Sequence, residues 1–370
     1  MSKLFLAKYQ FQIKWGIKMM HPGKLHGDLS NLTSRRTFLK GTALMSVGLL
    51  MRNQVTTRAA GSIRTSSEKS RVSFITGSDR REMVYQALVP LKDEIEKGIQ
   101  GKQIIIKPNF VGTRYPLCAT HADAVRGLLD FLKPIYKGKI IIGESSAVEV
   151  TSNGYENYGY LPLEKEYNVT LVDFNEHSTK PVWITDRNIR PAKIQVISEF
   201  LDPKNYFISI TRLKTHDTVV ATMGLKNILM ASPASQYNGR RYKREVHAGG
   251  PRWLNYNLFL LAQLMRPQLT VIDALEGMQG NGPVRGFSID HGVALAGTDV
   301  IAVDSIGAQL MNIPLDNIGY LTYCAEAGLG NADKSKIEII GGKNPKDYVK
   351  QYQLPDSIER QLEWKTNLMS

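Results

Sequence analysis

Apolar runs without polar interruptions recur along the chain, a pattern typical of strands that are buried on both faces of a sheet. These runs predict strands at 72–75, 103–106, 139–142, 170–172, 182–184, 206–210, 269–272, 293–295 and 337–340. Between them, apolar residues recur at helical spacing and predict helices at 82–98, 120–133, 217–230, 253–266, 299–311 and 315–327. Because strands that alternate with helices build parallel sheets, the sequence predicts an α/β fold with a mainly parallel central sheet flanked by helices.

Two stretches interrupt this alternation. Residues 170–200 contain short strand patterns without a clear helix, which predicts a β-rich insertion or a small subdomain. Residues 231–252 are polar and basic, and a loop of about twenty residues is long for a compact domain. We interpret this second stretch either as a lid over an anionic ligand or as a solvated basic loop.

The second predicted helix carries signals for its start and its end. Thr120, followed three residues later by Asp123, predicts a capping box at the N-terminus. Pro134 lacks a backbone donor and predicts that the helix stops before it.

The region before the first predicted strand has the layout of a twin-arginine (Tat) export signal. The string Ser-Arg-Arg-Thr-Phe-Leu-Lys at 34–40 precedes an uncharged, moderately apolar stretch at 41–51. A stretch of about eleven residues is too short for a membrane-spanning helix, which needs roughly 20. We therefore predict that residues 1–60 direct export through the Tat translocon to the periplasm or cell exterior and that residues 61–70 form a linker. An uncleaved leader that tethers the protein to the membrane is the alternative.

The net charge of +13 is concentrated in this leader. Residues 1–60 carry ten of the 47 basic residues and one of the 34 acidic residues, so the rest of the chain has a net charge of only +4. No basic stripe interleaved with aromatic residues follows, so a nucleic acid is not an expected partner. Only two cysteines, Cys118 and Cys324, are present, so we expect no iron–sulfur cluster or cysteine-ligated zinc held by this chain.

Polar side chains follow four of the predicted strands at the point where each ends. In open α/β sheets, ligands bind beyond the carboxyl ends of the strands, where the following backbone amides are free. We therefore predict one binding site from these strand ends, and its first candidates are Lys107, Asn109, Glu144, Ser145, Lys214, His216, Asp273 and Glu276.

A glycine-rich segment at 277–286 is predicted to be a turn that brings backbone amides close to a ligand. Its candidate binding residues are Gly280, Gly282 and Arg285, and together with Lys214 they suit a phosphate or a carboxylate. The segment matches neither a P-loop nor a dinucleotide-binding fingerprint, so neither ATP nor NAD is indicated.

Two charged residues fall on the apolar faces of predicted helices. Lys226 and Asp304 each share a face with aliphatic side chains, so each must be paired, have its charged tip at the surface, or be functional. A structural salt bridge or a capping hydrogen bond remains open for Asp304. His216, at a strand-to-helix turn beside Lys214, is a candidate general base or metal ligand, and a structural histidine is the alternative.

A divalent metal is a further expectation, with Asp273 and Glu276 as candidate ligands. The sequence supplies enough carboxylate and imidazole donors, but it contains no compact ligand motif. Export in a folded state through the Tat route also favours a cofactor that is inserted in the cytoplasm.

Several of these motifs, in this order, resemble the domain of unknown function 362 family. The resemblance covers roughly residues 100–341, and its motifs are Lys107 to Asn109, Gly143 to Ser145, Leu213 to His216, Met223 to Ile228, Asp273 to Gly286 and Asp299 to Asp304. It implies an α/β module whose relatives are often linked to redox proteins, and hence a separate redox partner. Many relatives carry ferredoxin-type cysteine clusters, which this chain lacks.

Taken together, the sequence predicts an α/β domain at 71–345 and a helical tail at 346–370. Its predicted function is an exported enzyme of unassigned reaction that binds a small anionic substrate or cofactor, with metal assistance or a redox link as options. In this hypothesis Lys214, His216 and Asp304 are catalytic, while Lys107 and Lys226 neutralise charge. The alternative is an accessory protein that binds the same ligand or cofactor without turnover.

Overall fold

The computed structural model describes residues 69–147, 149–236 and 239–366. Within these ranges the strands are β1 (Ser70–Thr76), β2 (Gln103–Lys107), β3 (Ile140–Glu144), β4 (Val169–Asp173), β5 (Thr179–Thr185), β6 (Pro191–Ile197), β7 (Asn205–Thr211), β8 (Lys214–His216), β9 (Val220–Thr222), β10 (Leu269–Asn281), β11 (Arg285–Gly297) and β12 (Ile337–Ile340). The predicted Tat leader lies outside the described residues.

The same ranges contain the α-helices that cover the sheet. They are α1 (Arg80–Leu88), α2 (Lys92–Ile99), α3 (Ala122–Ile135), α4 (Thr151–Asn157), α5 (Leu163–Glu166), α6 (Gly224–Ala231), α7 (Tyr242–His247), α8 (Pro251–Ala262), α9 (Val300–Leu310), α10 (Gly319–Glu326) and α11 (Ile358–Leu362). Among the described helices, none has both the length and the apolar character needed to cross a bilayer.

The central sheet has the strand order β12-β1-β11-β10-β7-β2-β3-β4. All neighbours along this path are parallel except those that involve β11, which runs antiparallel to both β1 and β10. β5 and β6 form a separate antiparallel pair, which corresponds to the β-rich subdomain expected within 170–200. The prediction of a mainly parallel α/β fold with a small β-rich subdomain is therefore confirmed.

Hydrophobic cores cover both faces of the sheet, which explains the uninterrupted apolar runs. In β2, Ile104 and Ile106 pack into the core formed with α1, α2 and α3, whereas Ile105 packs into the core formed with α6, α8, α9 and α10. Successive side chains of a strand point to opposite faces, so the successive isoleucines of β2 are all apolar because each face meets a core.

Two features differ from the sequence prediction. The helix predicted at 217–230 begins only at Gly224, because the preceding residues form the β8–β9 hairpin. Val219 and Val220 are β-branched and suit a strand better than a helix. The glycine-rich segment at 277–286 is not an open turn, since β10 and β11 continue their antiparallel pairing from Glu276–Asp290 to Asn281–Arg285.

The signals at the ends of the second predicted helix also differ. The N-cap of α3 is His121, whose Nδ1 accepts a hydrogen bond from the Asp123 amide at 3.1 Å. Thr120 instead accepts a bond from the Asn109 amide and donates one to the Ile210 carbonyl, so it ties two strand ends together. The helix includes Pro134 and ends one residue later.

The basic stretch at 231–252 is not a continuous loop. It contains α7, and Tyr242, Lys243 and Val246 in this helix are buried. The side chains of three arginines in the same stretch are exposed, namely those of Arg240, Arg241 and Arg244. One face of the stretch thus contacts the body of the domain, while the other carries the solvated charges.

Candidate functional site

The carboxyl ends of β2, β3 and β7 meet at one edge of the sheet, and α6 packs against this edge. Lys107 and Glu144 are the last residues of β2 and β3, and Lys214 lies three residues beyond β7. All three side chains are buried, with no more than 2% of their surface exposed. The expectation that these groups gather at one edge therefore matches the geometry for these three residues.

Lys107 and Glu144 form an ion pair at the centre of the site. Lys107 Nζ lies 2.7 Å from Glu144 Oε1. The two carboxylate oxygens also accept bonds from the Phe110 amide at 2.6 Å and from the Ser145 amide at 2.7 Å. Glu144 is thus saturated with donors, so it compensates Lys107 but has little capacity left for other cations.

Two asparagines connect this ion pair to Lys214. Asn227 Oδ1 accepts bonds from Lys107 Nζ at 3.1 Å and from Asn109 Nδ2 at 2.9 Å, and Asn227 Nδ2 donates to the Lys107 carbonyl at 3.0 Å. Lys214 Nζ donates to Asn109 Oδ1 and to the Cys118 carbonyl, the latter at 2.6 Å. Among the described residues, the Lys214 ammonium therefore has neutral oxygen partners and no ion pair with a carboxylate.

A further buried lysine, Lys243, reaches the site from α7. Its Nζ donates to the carbonyl and to the hydroxyl of Ser145, the latter at 2.9 Å, and the Ser145 hydroxyl in turn donates to the Ala231 carbonyl at 2.7 Å. Ser145 therefore holds α7 and the end of α6 against the end of β3.

We name Lys107, Lys214, Lys226 and Lys243 the lysine cluster. Each side chain is at most 7% exposed, and Glu144 is the only carboxylate that forms an ion pair with any of them in the described part of the chain. Burial lowers the pKa of all four, to about 8 for Lys214 and to about 7 for Lys226 and Lys243. The charges also act on one another, since Lys107 lowers the pKa of Lys214 and Lys214 lowers that of Lys226.

Lys226 and two histidines form the part of the site that faces α7. The pKa of His216 is lowered well below its ordinary value, first by burial and then by the charge of Lys226. The same two causes, in the same order, lower the pKa of His247, which is half-buried. Both imidazoles are therefore neutral near pH 7, and Lys226 is the cation that lowers the pKa of each of them most.

The hydrogen bonds of these histidines fix opposite tautomers. His216 Nδ1 accepts a bond from the Thr218 amide at 3.0 Å, so the proton of the neutral ring is on Nε2. His247 Nδ1 lies 2.7 Å from the Lys243 carbonyl, which can only accept, so the proton is on Nδ1 and Nε2 has a free lone pair. We name His216 and His247 the histidine pair, which combines one Nε2–H donor with one Nε2 acceptor.

Asp304 stabilises the helix that carries Lys226. Its carboxylate, on α9, accepts bonds from the Gly224 and Leu225 amides, both at 2.9 Å. These amides are the free donors at the start of α6, whose own N-cap residue provides no side-chain bond. Burial raises the pKa of Asp304 to about 7. The geometry supports the capping hydrogen bond that the sequence left open, rather than catalysis.

Asp273 and Glu276, the candidate metal ligands, are each paired with an arginine. Arg80 Nε lies 2.7 Å from Asp273 Oδ2, although its N–H does not point at that oxygen, so this contact is an ion pair rather than a hydrogen bond. Arg212 donates to Glu276 at 2.8 Å. No group of three or more histidine, cysteine, aspartate or glutamate side chains in the described ranges is arranged to hold a metal ion.

The glycines of the β10–β11 hairpin contact protein rather than an open ligand site. The Gly280 amide donates to the Gln353 carbonyl and the Gly282 amide donates to the Gly280 carbonyl, both at 2.8 Å. A Cβ atom at Gly282 would lie 2.2 Å from the Thr215 carbonyl oxygen, so this glycine allows the hairpin to pack on β8. Arg285 is exposed and has no ion pair or hydrogen bond to the lysine cluster within the described residues.

An open cleft of about 420 Å³ lies at the same edge of the sheet, beyond β1, β10 and β11. Its lining includes Arg80, Glu276, Asp290, His291 and Lys350. Glu276 in this lining pairs with the buried Arg212, and the charge of Arg212 lowers the pKa of Lys214, so the ion pair links the cleft electrostatically to the lysine cluster. Both features therefore occupy the edge that the sequence predicted.

Three residues of the site were absent from the sequence prediction. Asn227 lies next to Lys226 in a helix whose other residues are apolar. A second polar residue at such a position indicates a buried polar partner, and this signal is present in the sequence. Lys243 and His247 are four residues apart and therefore lie on one face of α7. The sequence does not reveal this shared face, because the whole stretch is polar and basic and therefore predicts a loop rather than a helix.

Comparison with known proteins gives a family but no activity. The chain is 26% identical over 235 residues to a thylakoid-associated protein of Synechocystis sp., a match that covers 62% of this chain and 68% of that protein. A crystal structure of a protein from Thermotoga maritima aligns with a TM-score of 0.34 at 9% identity, over 69% of this chain and 60% of that one. The family model for a domain of unknown function (DUF362) matches residues 104–309, more than half of the chain. The matched range runs from within β2 to within α9 and includes the lysine cluster, the histidine pair and Asp304, so this chain belongs to the DUF362 family.

Proposed function

We propose that this protein is an exported enzyme that binds a small anionic substrate or cofactor at the lysine cluster and transfers protons through His216. The observation that carries the proposal is the excess of buried positive charge: four buried lysines gather at the carboxyl edge of the sheet, and within the described residues Lys107 alone among them forms an ion pair with a carboxylate. Enzymes commonly stabilise developing negative charge with such fixed, desolvated cations.

This excess of buried positive charge destabilises the folded protein unless a negative charge lies beside it. Removing an ammonium group from water without a counter-ion costs several kcal/mol, so an unpaired buried lysine is not explained by stability. A bound carboxylate or phosphate would supply the missing counter-charge, and in a low-dielectric site its attraction to Lys214 and Lys226 is stronger than at a surface. The lowered pKa values of these two lysines make their protonation depend on the ligand.

The test is calorimetric titration of the full chain with oxamate and with inorganic phosphate, and acetamide serves as an uncharged control. We expect at least one anion to bind, acetamide not to bind, and K226M and K214M to weaken binding at least tenfold. K343M alters an exposed lysine and is the matched control, which should bind as the unaltered chain does. Absence of binding by both anions, or equal binding by K226M and K343M, would overturn the proposal.

The proposal of export rests on the twin-arginine string at 34–40 and on the excess of basic residues before residue 60. We infer that the folded chain is carried out of the cytoplasm by the Tat translocon. Replacing Arg35 and Arg36 by lysine should retain the protein in the cytoplasm of its host. If fractionation finds the double variant outside the cytoplasm at the normal level, the inference is wrong.

A further inference from the structure

Lys226 differs from the rest of the lysine cluster because its ammonium group has no hydrogen-bond or ion-pair partner among the residues that the structure describes. Within the described ranges, the other three lysines donate to protein oxygens, namely those of Glu144, Asn227, Asn109, Cys118 and Ser145. No hydrogen bond or ion pair within those ranges involves Lys226 Nζ, although the residue is only 5% exposed. A structural role in a salt bridge therefore does not explain its position.

The helix that carries Lys226 is anchored on both sides of it. Asp304 holds the Gly224 and Leu225 amides, and the next residue, Asn227, bonds to the Lys107 carbonyl and to the Ser209 hydroxyl. The backbone at Lys226 cannot turn outward without breaking these contacts. The backbone that carries Lys226 is therefore held in place, as a reactive side chain requires. The charge of Lys226 lowers the pKa of both members of the histidine pair, so the three groups lie within electrostatic range of one another.

The surroundings favour the neutral, nucleophilic form of this amine. Burial is the largest cause that lowers the pKa of Lys226, and the charge of Lys214 is the second. Desolvation and a neighbouring cation are the two general means by which proteins activate a lysine as a nucleophile. A substantial fraction of Lys226 is therefore unprotonated near pH 7, whereas an ordinary surface lysine is almost fully charged.

We propose that Lys226 is a nucleophile that forms an imine with the carbonyl carbon of a small α-oxo acid. This inference rests on the proposed function, because it takes the anion bound by the lysine cluster to be the carboxylate of that acid. The carboxylate and the carbonyl of an α-oxo acid are adjacent, so one small molecule satisfies both the positive charge of Lys214 and the free amine of Lys226.

The step balances with the groups that are present. The nitrogen lone pair of Lys226 attacks the carbonyl carbon and the carbonyl π electrons move to oxygen, which gives an ammonium alkoxide. His247 Nε2 takes one N–H proton and returns it to the alkoxide, which gives a neutral carbinolamine. His247 Nε2 then takes the second N–H proton and delivers it to the hydroxyl group, which leaves as water while the nitrogen electrons form the C=N bond. The His216 Nε2–H donates a hydrogen bond to the oxygen throughout and keeps its proton, so an amine and a ketone give an imine and water with no change in oxidation state.

The test is reductive trapping on the full chain. Pyruvate and sodium cyanoborohydride convert an imine to a stable secondary amine, and peptide mass spectrometry locates the added carboxyethyl group. We expect preferential modification of Lys226, at least tenfold above any exposed lysine, with protection by excess oxamate, which lacks a ketone. K226R should lose this adduct while it retains oxamate binding, and K343R should be modified at Lys226 as the unaltered chain is.

The outcomes separate this inference from the proposed function. Oxamate binding without preferential trapping at Lys226 refutes the imine and leaves the proposed function standing. Absence of oxamate and phosphate binding refutes the proposed function itself. If K226R does not fold, the unaltered chain alone tests the inference. Preferential modification of Lys226 that excess oxamate prevents supports the imine. Modification that is spread evenly over exposed lysines and is unaffected by oxamate overturns it.

Discussion

Replacing Lys226 by methionine should make the protein more stable near neutral pH. Burial, followed by the charge of Lys214, lowers the pKa of Lys226 from 10.5 to about 7. Because each pKa unit corresponds to about 1.4 kcal/mol, charging this lysine in the folded state costs up to about 5 kcal/mol. Methionine has a similar shape and no charge, so K226M should raise the free energy of unfolding by roughly 4 kcal/mol at pH 7.

The stabilisation by K226M should depend on pH. The folded pKa of Lys226 is lower than the unfolded one, so between pH 7 and about 10 the unfolded chain binds more protons and stability rises with pH. The advantage of K226M should therefore shrink as the pH rises from 7 to 9.5. Urea unfolding of the full chain and of K226M at several pH values measures this, with the exposed K343M as the control. If K226M is less stable than the unaltered chain at every pH, or has the same pH slope, Lys226 is satisfied in the fold and the reasoning fails.

Four further predictions follow from individual contacts. D304A should lower the free energy of unfolding by about 1–3 kcal/mol, measured by urea unfolding, because two amides of α6 lose their acceptor. K107M leaves the buried Glu144 without its cation and should cost about 3–5 kcal/mol in the same assay. G282A should cost about 1–3 kcal/mol because its Cβ would meet a carbonyl at 2.2 Å, whereas G112A, where the nearest atom is at 3.8 Å, should have little effect. Affinity for oxamate should fall as the pH rises above about 8, since Lys214 and Lys226 lose their protons, and calorimetry in buffers of different ionisation enthalpy should detect proton uptake at that pH. Unchanged affinity between pH 7 and 9.5 would contradict the last prediction.

The sheet could be predicted from sequence because its strands are buried on both faces, so hydrophobicity alone marks them. β2, β7 and the first half of β10 are of this kind. The shorter strands β8 and β9 could not be predicted, because distant parts of the chain hold them in place. β8 pairs with β10, and in β9 the Val220 amide donates a hydrogen bond to Gln361 Oε1 of α11 at 2.6 Å. Such long-range contacts leave no local pattern in the chain.

The candidate site was predictable to the extent that strand ends define it. Lys107, Glu144 and Lys214 could be proposed because parallel strands bring their carboxyl ends to one edge. The roles of Asp304 and of the hairpin glycines could not, because a sequence does not show which backbone amide a distant carboxylate caps or which strand a glycine packs against. The charge anomaly of Lys226 was visible, but the absence of a partner for it required the positions of all its neighbours.

The most direct test of the lysine cluster as an anion site is a crystal structure of the full chain with bound oxamate. We expect the oxamate carboxylate to lie within hydrogen-bond distance of Lys226 Nζ and next to His216 Nε2, with the same amine still unpartnered in the crystal without oxamate. Oxamate bound only at Arg285 or in the open cleft beside His291, with Lys226 held by a protein carboxylate, would contradict it.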